Sequence, residues 1–597
     1  MWSLYNEKNE FLPPLTFSNG KTQEDVVQEV LAARQQGHKI IFIRGSPGSG
    51  KSAVALNIAC HIGKTSLVVP VKFLQKQYEH DYVQKLKLYK QNGEQLKIAM
   101  ITGRNNHPCL FNTEKKADYP FLPCSIELRK ENLGLLHPFV AQNPAVDAAD
   151  FVELKDFTRT AVAGACPYWS PIVSEEFAFK TTLDGKRLPY TAIKNNKMCL
   201  VQRKSGCSYY GQFHAYRDAD VIIFNSKKYE LENLMLRKPA TKLEIIDEGD
   251  EFLDHLSNEH KINLHYLAAR LKRVMDYEHN VDIKEVLQEI HMLVQLLMQK
   301  NSGKEIMQLS TNKAVELLDY FLRNSYLGEY EELTHYYEIA LSFADYKTTS
   351  YVMYLKNSKQ ETILHIVNID LQKKLHDYLE KNEAFVFMSG TLHSKKVLRD
   401  IFGITDYLVI EAEPKDFGTV KKVFTQKERE FRYRNFQNGK VTREDYLKAL
   451  EACIEQAPRP TLVHVNSFAD LPSREEQEHY QLTVMPSEKL QSLQEEGKTG
   501  ELMQLFKTGK LDILYSTKCN RGVDFPGAMC NSIVYTKYPY PSMHDVFWQV
   551  LKREKPDHYL EFYFDKAARE YKQRMYRGLR SKEDMIYLLS PDLKVLQ

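Results

Sequence analysis

The segment GSPGSGKS at residues 45–52 sets glycines, a lysine and a serine in the spacing G-x-x-x-x-G-K-[ST]. It directly follows an apolar run, KIIFIRG (39–45), and opens a helical one, AVALNIAC (53–60). A chain that turns this tightly between a strand and a helix aims successive backbone N–H groups, and the positive end of the helix, at one point, which suits a phosphate. Gly45, Gly48 and Gly50 give the backbone the freedom to curl, Lys51 meets the β- and γ-phosphates, and Ser52 offers a hydroxyl to Mg²⁺. Hydrolysis of the triphosphate also needs acids, and LEIIDEGDEF (243–252) supplies them at the end of a second apolar run. There Asp247 is a candidate Mg²⁺ ligand and Glu248 the group that orients or deprotonates the attacking water. A third chemistry is carried by sulfur. Five of the nine cysteines, Cys109, Cys124, Cys166, Cys199 and Cys207, fall within 104–207. In a long chain this pattern reads as reduced or metal-bound thiols, not as a disulfide framework, and the lack of a tight C-x-x-C pair counts modestly against zinc.

These residues need rigid elements beneath them. SLVVPV (66–71), KIAMITG (97–103), DVIIFNS (220–226), LEIIDEG (243–249) and AFVFMSGT (384–391) repeat the short β-branched pattern of 39–45, with helical segments between several of them. That alternation predicts an α/β fold with a parallel sheet covered on both faces. Two stretches interrupt it: a loop-rich, cysteine-bearing one at about 104–207, and one at about 255–345 whose apolar spacing predicts helices. From about 400 a second α/β rhythm begins with TLVHVN (461–466), LDILYST (511–517), NSIVYTKYP (531–539) and DMIYLLSP (584–591). Two such units imply two lobes with a cleft between them. The 597 residues suit about four domains of ~150 residues, and 43% hydrophobic with 27% charged residues is ordinary for a globular chain. A formal net charge of +3 does not announce a nucleic-acid binder, so any phosphate-tracking surface is local. The 35 Tyr and 29 Phe could stack on bases, although most aromatics pack cores. No basic segment followed by an apolar stretch opens the chain and no window approaches 18 apolar residues, so a cytoplasmic protein without membrane contact is expected.

Taken together, the motifs resemble those of the superfamily 2 helicases, within them the XPD/DinG group, in the same order over nearly the whole chain. Gln23 corresponds to the glutamine that contacts adenine in that family. VPVKFLQKQY (69–78) is similar to motif Ia, which touches the DNA backbone, and DEGD (247–250) stands where the family has DEAH. Asp250 thus replaces a histidine that couples the nucleotide to the neighbouring motif, which puts that coupling in question. MSGTL (388–392) resembles the signature linking hydrolysis to DNA movement. RGVDFPG (521–527) resembles motif V, with Asp524 near the ribose or between the lobes, and QRMYRGLR (573–580) keeps the Gln and both Arg of Q-x-x-G-R-x-x-R, with Tyr576 in place of Gly. Gln573, Arg577 and Arg580 are then expected to face the loop at 45–52, the arginines neutralising charge on the γ-phosphate when the lobes close.

For the sulfur chemistry the same resemblance implies a 4Fe–4S cluster. GRNNHPCLF (103–111) and GCSYYGQFHAYRDADVIIFN (206–225) resemble the family's flanks of its iron–sulfur domain, and LPCSIE and GACPYW its middle ligands. Cys109, Cys124, Cys166 and Cys207 are the implied ligands, at intervening spacings of 14, 41 and 40 residues. Cys199 could replace Cys124 or Cys166. A zinc site and unligated thiols are the alternatives, and Cys60, Cys453, Cys519 and Cys530 read as core residues or bystanders. The implied organisation is two RecA-like motor domains with an iron–sulfur domain and a helical Arch-type insertion in the first. Its boundaries are motor domain 1 at 1–103, 208–254 and 346–400, the iron–sulfur domain at 104–207, the Arch-like domain at 255–345 and motor domain 2 at 401–597. The implied activity is a monomeric, ATP- and Mg²⁺-dependent DNA helicase that steps 5′ to 3′ on single-stranded DNA and opens duplexes at junctions. A translocase that strips protein without separating strands, a nucleotide-gated scaffold, and an RNA or hybrid substrate are the competing readings; Glu248, Arg577 and Arg580 argue against a scaffold.

Overall fold

The computed structural model describes residues 1–128, 132–178, 184–278, 280–300, 305–357, 359–413, 418–517 and 523–597. The apolar runs of the N-terminal part form a seven-stranded sheet in which every pairing is parallel. Its order is Leu408–Glu411, Ile40–Arg44, Phe385–Ser389, Leu243–Asp247, Thr65–Val69, Val221–Asn225, Ile98–Ile101. Side chains alternate along a strand, so Ile40 and Phe42 enter the core on one face while Ile41 and Ile43 enter the core on the other. This double burial explains why the strands read as unbroken apolar runs. The register pairs Arg44 with Ser389 and Met388 with Asp247, which sets the ends of three neighbouring strands side by side. The loop at 45–52, the SGT segment and the DEGD segment leave from those ends, where ligands bind in open parallel sheets.

A second all-parallel sheet has the order Thr419–Lys422, Met585–Leu589, Ser532–Tyr535, Thr461–His464, Ile513–Ser516. Two helices between its strands Ser532–Tyr535 and Met585–Leu589, Val546–Glu554 and Pro556–Met575, bury Phe547, Trp548, Val550, Leu551 and Phe562 in a core shared with Phe387, Leu398 and Phe402 of the first lobe. The lobes are therefore joined by an apolar contact as well as by the chain.

The two interruptions differ from what periodicity alone predicts. The first holds a three-stranded antiparallel sheet, Ile172–Ser174, Lys197–Gln202 and Lys186–Thr191. The second carries the expected helices Leu264–Tyr277, Val281–Lys300, Ala314–Arg323 and Glu331–Phe343, but it is not purely helical. Glu259–Asn263, Met307–Gln308, Ser350–Lys356 and Thr362–Asn368 form an antiparallel sheet. Its last two strands lie beyond 345, because Thr362–Asn368 pairs back onto Glu259–Asn263 and not with the motor sheet. Likewise Leu408–Glu411 lies beyond 400 yet belongs to the first sheet. Both interruptions share one core, in which Leu136, Phe157 and Val162 of the first meet Leu267, Leu333 and Phe343 of the second. No helix among the described residues is long and apolar enough to cross a membrane.

Candidate functional site

The loop at 45–52 is anchored at its start by backbone. Gly45 N–H donates to Ser389 O at 3.2 Å and Ser46 N–H to Glu413 O at 3.2 Å, tying the loop to the SGT segment and to the chain leaving the first lobe. Gly48 and Gly50 have φ of +84° and +69°. A Cβ on Gly50 would lie 2.2 Å from Gln23 Nε2, so a glycine is required there on both counts. The helix Lys51–Ile62 starts with no side-chain cap, as phosphate binding demands. Ser46 Oγ and Ser49 Oγ are buried without a hydrogen-bond partner, a polar lining that fits phosphate oxygens.

Lys51 Nζ folds back onto the loop, donating to Gly45 O at 3.0 Å and Ser46 O at 3.4 Å. Burial lowers its pKa, the charges of Glu248 and Asp247 oppose this, and that of Arg580 adds to it. Asp247 ends its strand almost fully buried, accepting from Tyr78 Oη at 2.9 Å and from its neighbour's backbone N–H at 3.0 Å. Its carboxyl is pushed up to about 6, by burial first and by Glu248 second, while Lys51 pulls it down. Glu248 stands at φ 52°, ψ 53°, a left-handed conformation that non-glycine residues adopt mainly where the surroundings enforce it. The next residue is tightly packed: a Cβ on Gly249 would lie 2.7 Å from Phe387 Cβ, so the turn presses against the neighbouring strand Phe385–Ser389. Gln23 is 2% exposed and both ends of its amide are engaged by backbone. Its Oε1 accepts from Leu15 N–H at 2.9 Å, and its Nε2 donates to Ser49 O at 3.1 Å and Gly50 O at 3.2 Å. Here it braces the phosphate loop.

Across the cleft, Gln573 Nε2 donates to Thr391 Oγ1 at 3.1 Å, joining the second lobe to the SGT segment. Arg577 is 2% exposed and donates to Val523 O and Asp524 Oδ1, both at 3.0 Å. Arg580 also pairs with Asp524. The charge of Arg580 reaches Lys51 across the cleft. A cleft of about 760 Å³ lies between the lobes, lined by Ser46, Thr391 and His393 on one side and Arg569, Lys572 and Tyr576 on the other. Arg521 and Gly522 of the RGVDFPG segment, and Cys519, lie outside the described residues.

The cysteines separate into a group of four and the rest. The Cys166 thiol is pushed up to about 12, by burial first, with Cys124, Cys207 and Cys109 adding to it. Trp169 and Tyr210 pack around Cys166, with Cys124 and Cys207 against the same cluster. Arg104 Nη1 donates to Cys124 Sγ and Asn112 N–H to Cys109 Sγ, each at 3.4 Å. Cys199 sits apart, 1% exposed on the strand Lys197–Gln202 between Val173 and Pro189. Cys60, Cys453 and Cys530 are buried, as expected of core residues. Among the described residues, no group of three or more His, Cys, Asp or Glu converges on a single metal-ion position.

The motifs did not mark several residues that complete the site. Tyr78, whose hydroxyl meets Asp247, closes the segment resembling motif Ia. Arg569 and Asp565 lie one and two helical turns before Gln573, a spacing that puts them on its face. Glu413, which accepts from Ser18 N–H at 2.8 Å, carries no sequence signal.

Comparison with known proteins agrees with this geometry. Residues 450–597 match the helicase C-terminal domain family. A solved XPD helicase superposes over 96% of both chains, with a TM-score of 0.53 and 13% identity. An apo XPD matches over 95% of each chain (TM-score 0.51, 12% identity), and Xpd4 of S. tokodaii over 95% of each (0.50, 14%). The chain has the XPD-type helicase fold. No curated protein matches it by sequence. At these identities the likeness to XPD is one of architecture, and the two parallel sheets are its RecA-like motor domains.

Proposed function

We propose that this XPD-type chain is an ATP-dependent motor that moves 5′ to 3′ on single-stranded DNA in the cytoplasm and unwinds duplexes. The observation that carries the reading is the hydrogen bond from Gln573 Nε2 of the second lobe to Thr391 Oγ1 of the SGT segment, 3.1 Å, with Gly45 N–H of the phosphate loop bonded to Ser389 O of that same segment. Two lobes joined at the segment that holds the phosphate loop form one site, and the site changes when they move. Lys51 and the backbone of 45–52 hold the β- and γ-phosphates, and Lys51 exchanges its contacts with Gly45 O and Ser46 O for phosphate oxygens. Ser52 and Asp247 hold Mg²⁺, which supplies charge neutralisation at the phosphates. Glu248 orients the attacking water and takes its proton. Arg580 leaves Asp524 for the γ-phosphate on closure, while Arg577 keeps Val523 and Asp524 in place. Gln573 senses the first lobe through Thr391. Cyclic opening and closing then moves each lobe along the strand in turn.

Cys109, Cys124, Cys166 and Cys207 are assigned to a 4Fe–4S cluster: Cys124 and Cys207 pack against the apolar cluster that buries Cys166, and N–H groups of Arg104 and Asn112 point at Cys124 and Cys109 Sγ. In this reading the cluster is structural, and the residues around it brace the insertion beside the first motor domain. ATP hydrolysis and strand separation measured on substrates with a 5′ tail, a 3′ tail or blunt ends test the proposal. Hydrolysis stimulated by single strands and unwinding from the 5′ tail are expected. Stimulated hydrolysis without unwinding on any substrate would favour a translocase that displaces protein, and hydrolysis indifferent to nucleic acid would sink the motor reading.

A further inference from the structure

Asp250 stands where a histidine is usual in the helicases this chain resembles, yet its surroundings are built for an anion. It is 2% exposed. Its Oδ1 accepts from Ser389 Oγ at 2.6 Å and its Oδ2 from Thr391 Oγ1 at 2.7 Å. Arg569 of the second lobe approaches Oδ2 at 3.6 Å. These neighbours are donors or cations, and an imidazole offers at most one acceptor nitrogen and none when protonated.

Arg569 is itself held on three sides. It grips Asp254 with two bonds, at 2.9 and 2.8 Å, and donates to Asp565 at 2.8 Å. Asp254 also meets His393 Nε2 at 2.9 Å and Lys566 Nζ at 3.1 Å. Asp250 and Asp254 are four residues apart on the helix Gly249–Asp254, so they share a face. That helix begins on the Glu248 carbonyl, which accepts from Glu251 N–H at 3.0 Å and Phe252 N–H at 3.2 Å. A displacement of Arg569 or Gln573 thus reaches Glu248 through one short turn of backbone.

We infer that Asp250 and Arg569 form the coupling element of this motor: Asp250 is a positioning residue that links the SGT hydroxyls to the turn carrying Glu248, and Arg569 is its counter-charge on the second lobe. The inference rests on the motor reading above and deepens it. A continuous chain of bonds runs Gln573 N–H to Thr391 O–H to the Asp250 carboxylate. Buried charges wired in this way are strongly interdependent, because removing one leaves its partner unpaired.

The test uses Asp250→Asn, Asp250→Glu, Asp250→His, Arg569→Gln and the double variant Asp250→Asn/Arg569→Gln. Affinity for a fluorescent ATP analogue is measured alongside kcat and KM for ATP with and without single-stranded DNA. In Asp250→Asn the nucleotide affinity is expected to stay within about threefold while stimulation of kcat by DNA falls about tenfold or more. Asp250→Glu restores part of it, Asp250→His is worse than Asn, and the double variant is no worse than the more damaged single one. Should Arg569→Gln fail to fold, the near-isosteric Asn and the His substitutions at Asp250 decide the matter. Full stimulation in Asp250→Asn, a His variant equal to wild type, additive losses in the double, or affinity lost in step with kcat would each overturn the inference. A wild type without any DNA stimulation would instead refute the motor reading itself.

Discussion

Gln23→Ala separates two roles for one side chain. The resemblance assigns Gln23 to the adenine ring, whereas the structure engages its amide in three bonds to backbone, at 2.9, 3.1 and 3.2 Å, two of them to the phosphate loop. Each such bond contributes ~1 kcal/mol net, so their removal makes the binding-competent loop less favourable by about 2–3 kcal/mol. Nucleotide affinity then falls between roughly 10- and 100-fold, since ~1.4 kcal/mol is a factor of ten. The loss has a signature: because the brace acts on the phosphate loop, ATP and GTP weaken by the same factor. Gln23→Glu keeps the acceptor for Leu15 N–H but sets a carboxylate against the carbonyls of Ser49 and Gly50, so it is expected to do no better than Ala. Competition titrations of a fluorescent nucleotide with ATP and GTP read this directly, with the melting temperature as a control for folding. A variant that loses ATP affinity and leaves GTP binding untouched would refute the brace and restore base recognition.

Lys51→Ala is expected to reduce ATP hydrolysis at least ~100-fold by removing the charge that meets the phosphates, with the melting temperature close to wild type. Normal turnover in a coupled ATPase assay would contradict the site. Cys109→Ser should lose iron and brown absorbance while keeping some ATPase, and Cys199→Ser should keep full iron content, since Cys199 is 1% exposed on its strand between Val173 and Pro189. Equal iron loss in both, by metal analysis of protein purified without oxygen, would contradict the ligand set. Asp247→Asn tests the buried acid. A carboxyl raised from 3.8 to about 6 on folding makes the ionised form unfavourable by ~3 kcal/mol, so it destabilises the fold above pH 6 and not below pH 4. The Asn variant should melt higher than wild type at pH 8, with the gap closing as pH falls through 6; a constant gap, or none, in thermal scans would contradict the assignment.

The α/β class, the two lobes and the nucleotide loop were legible in the sequence because each rests on short-range chemistry. Strand Ile40–Arg44, the glycines after it and the helix Lys51–Ile62 are contiguous, and buried parallel strands announce themselves as apolar runs. Four cysteines could be singled out by their flanking residues, but Cys199 could not be set aside until the strand pairing placed it between Val173 and Pro189. The insertion boundary at 345 was misplaced for a related reason. Nothing local in Thr362–Asn368 says that it pairs not only with its neighbour Ser350–Lys356 but also with Glu259–Asn263, about a hundred residues earlier.

By itself, then, the sequence determined which groups are present to bind a triphosphate and in what order they come. The tertiary structure alone decided how they meet: that Gln23 faces the loop's carbonyls, that Arg577 and Arg580 share Asp524, and that Asp250 answers to Arg569, 319 residues later in the chain. The reason is physical. Propensity and periodicity act over a few residues, while burial and charge pairing act between side chains that only the packed lobes bring together.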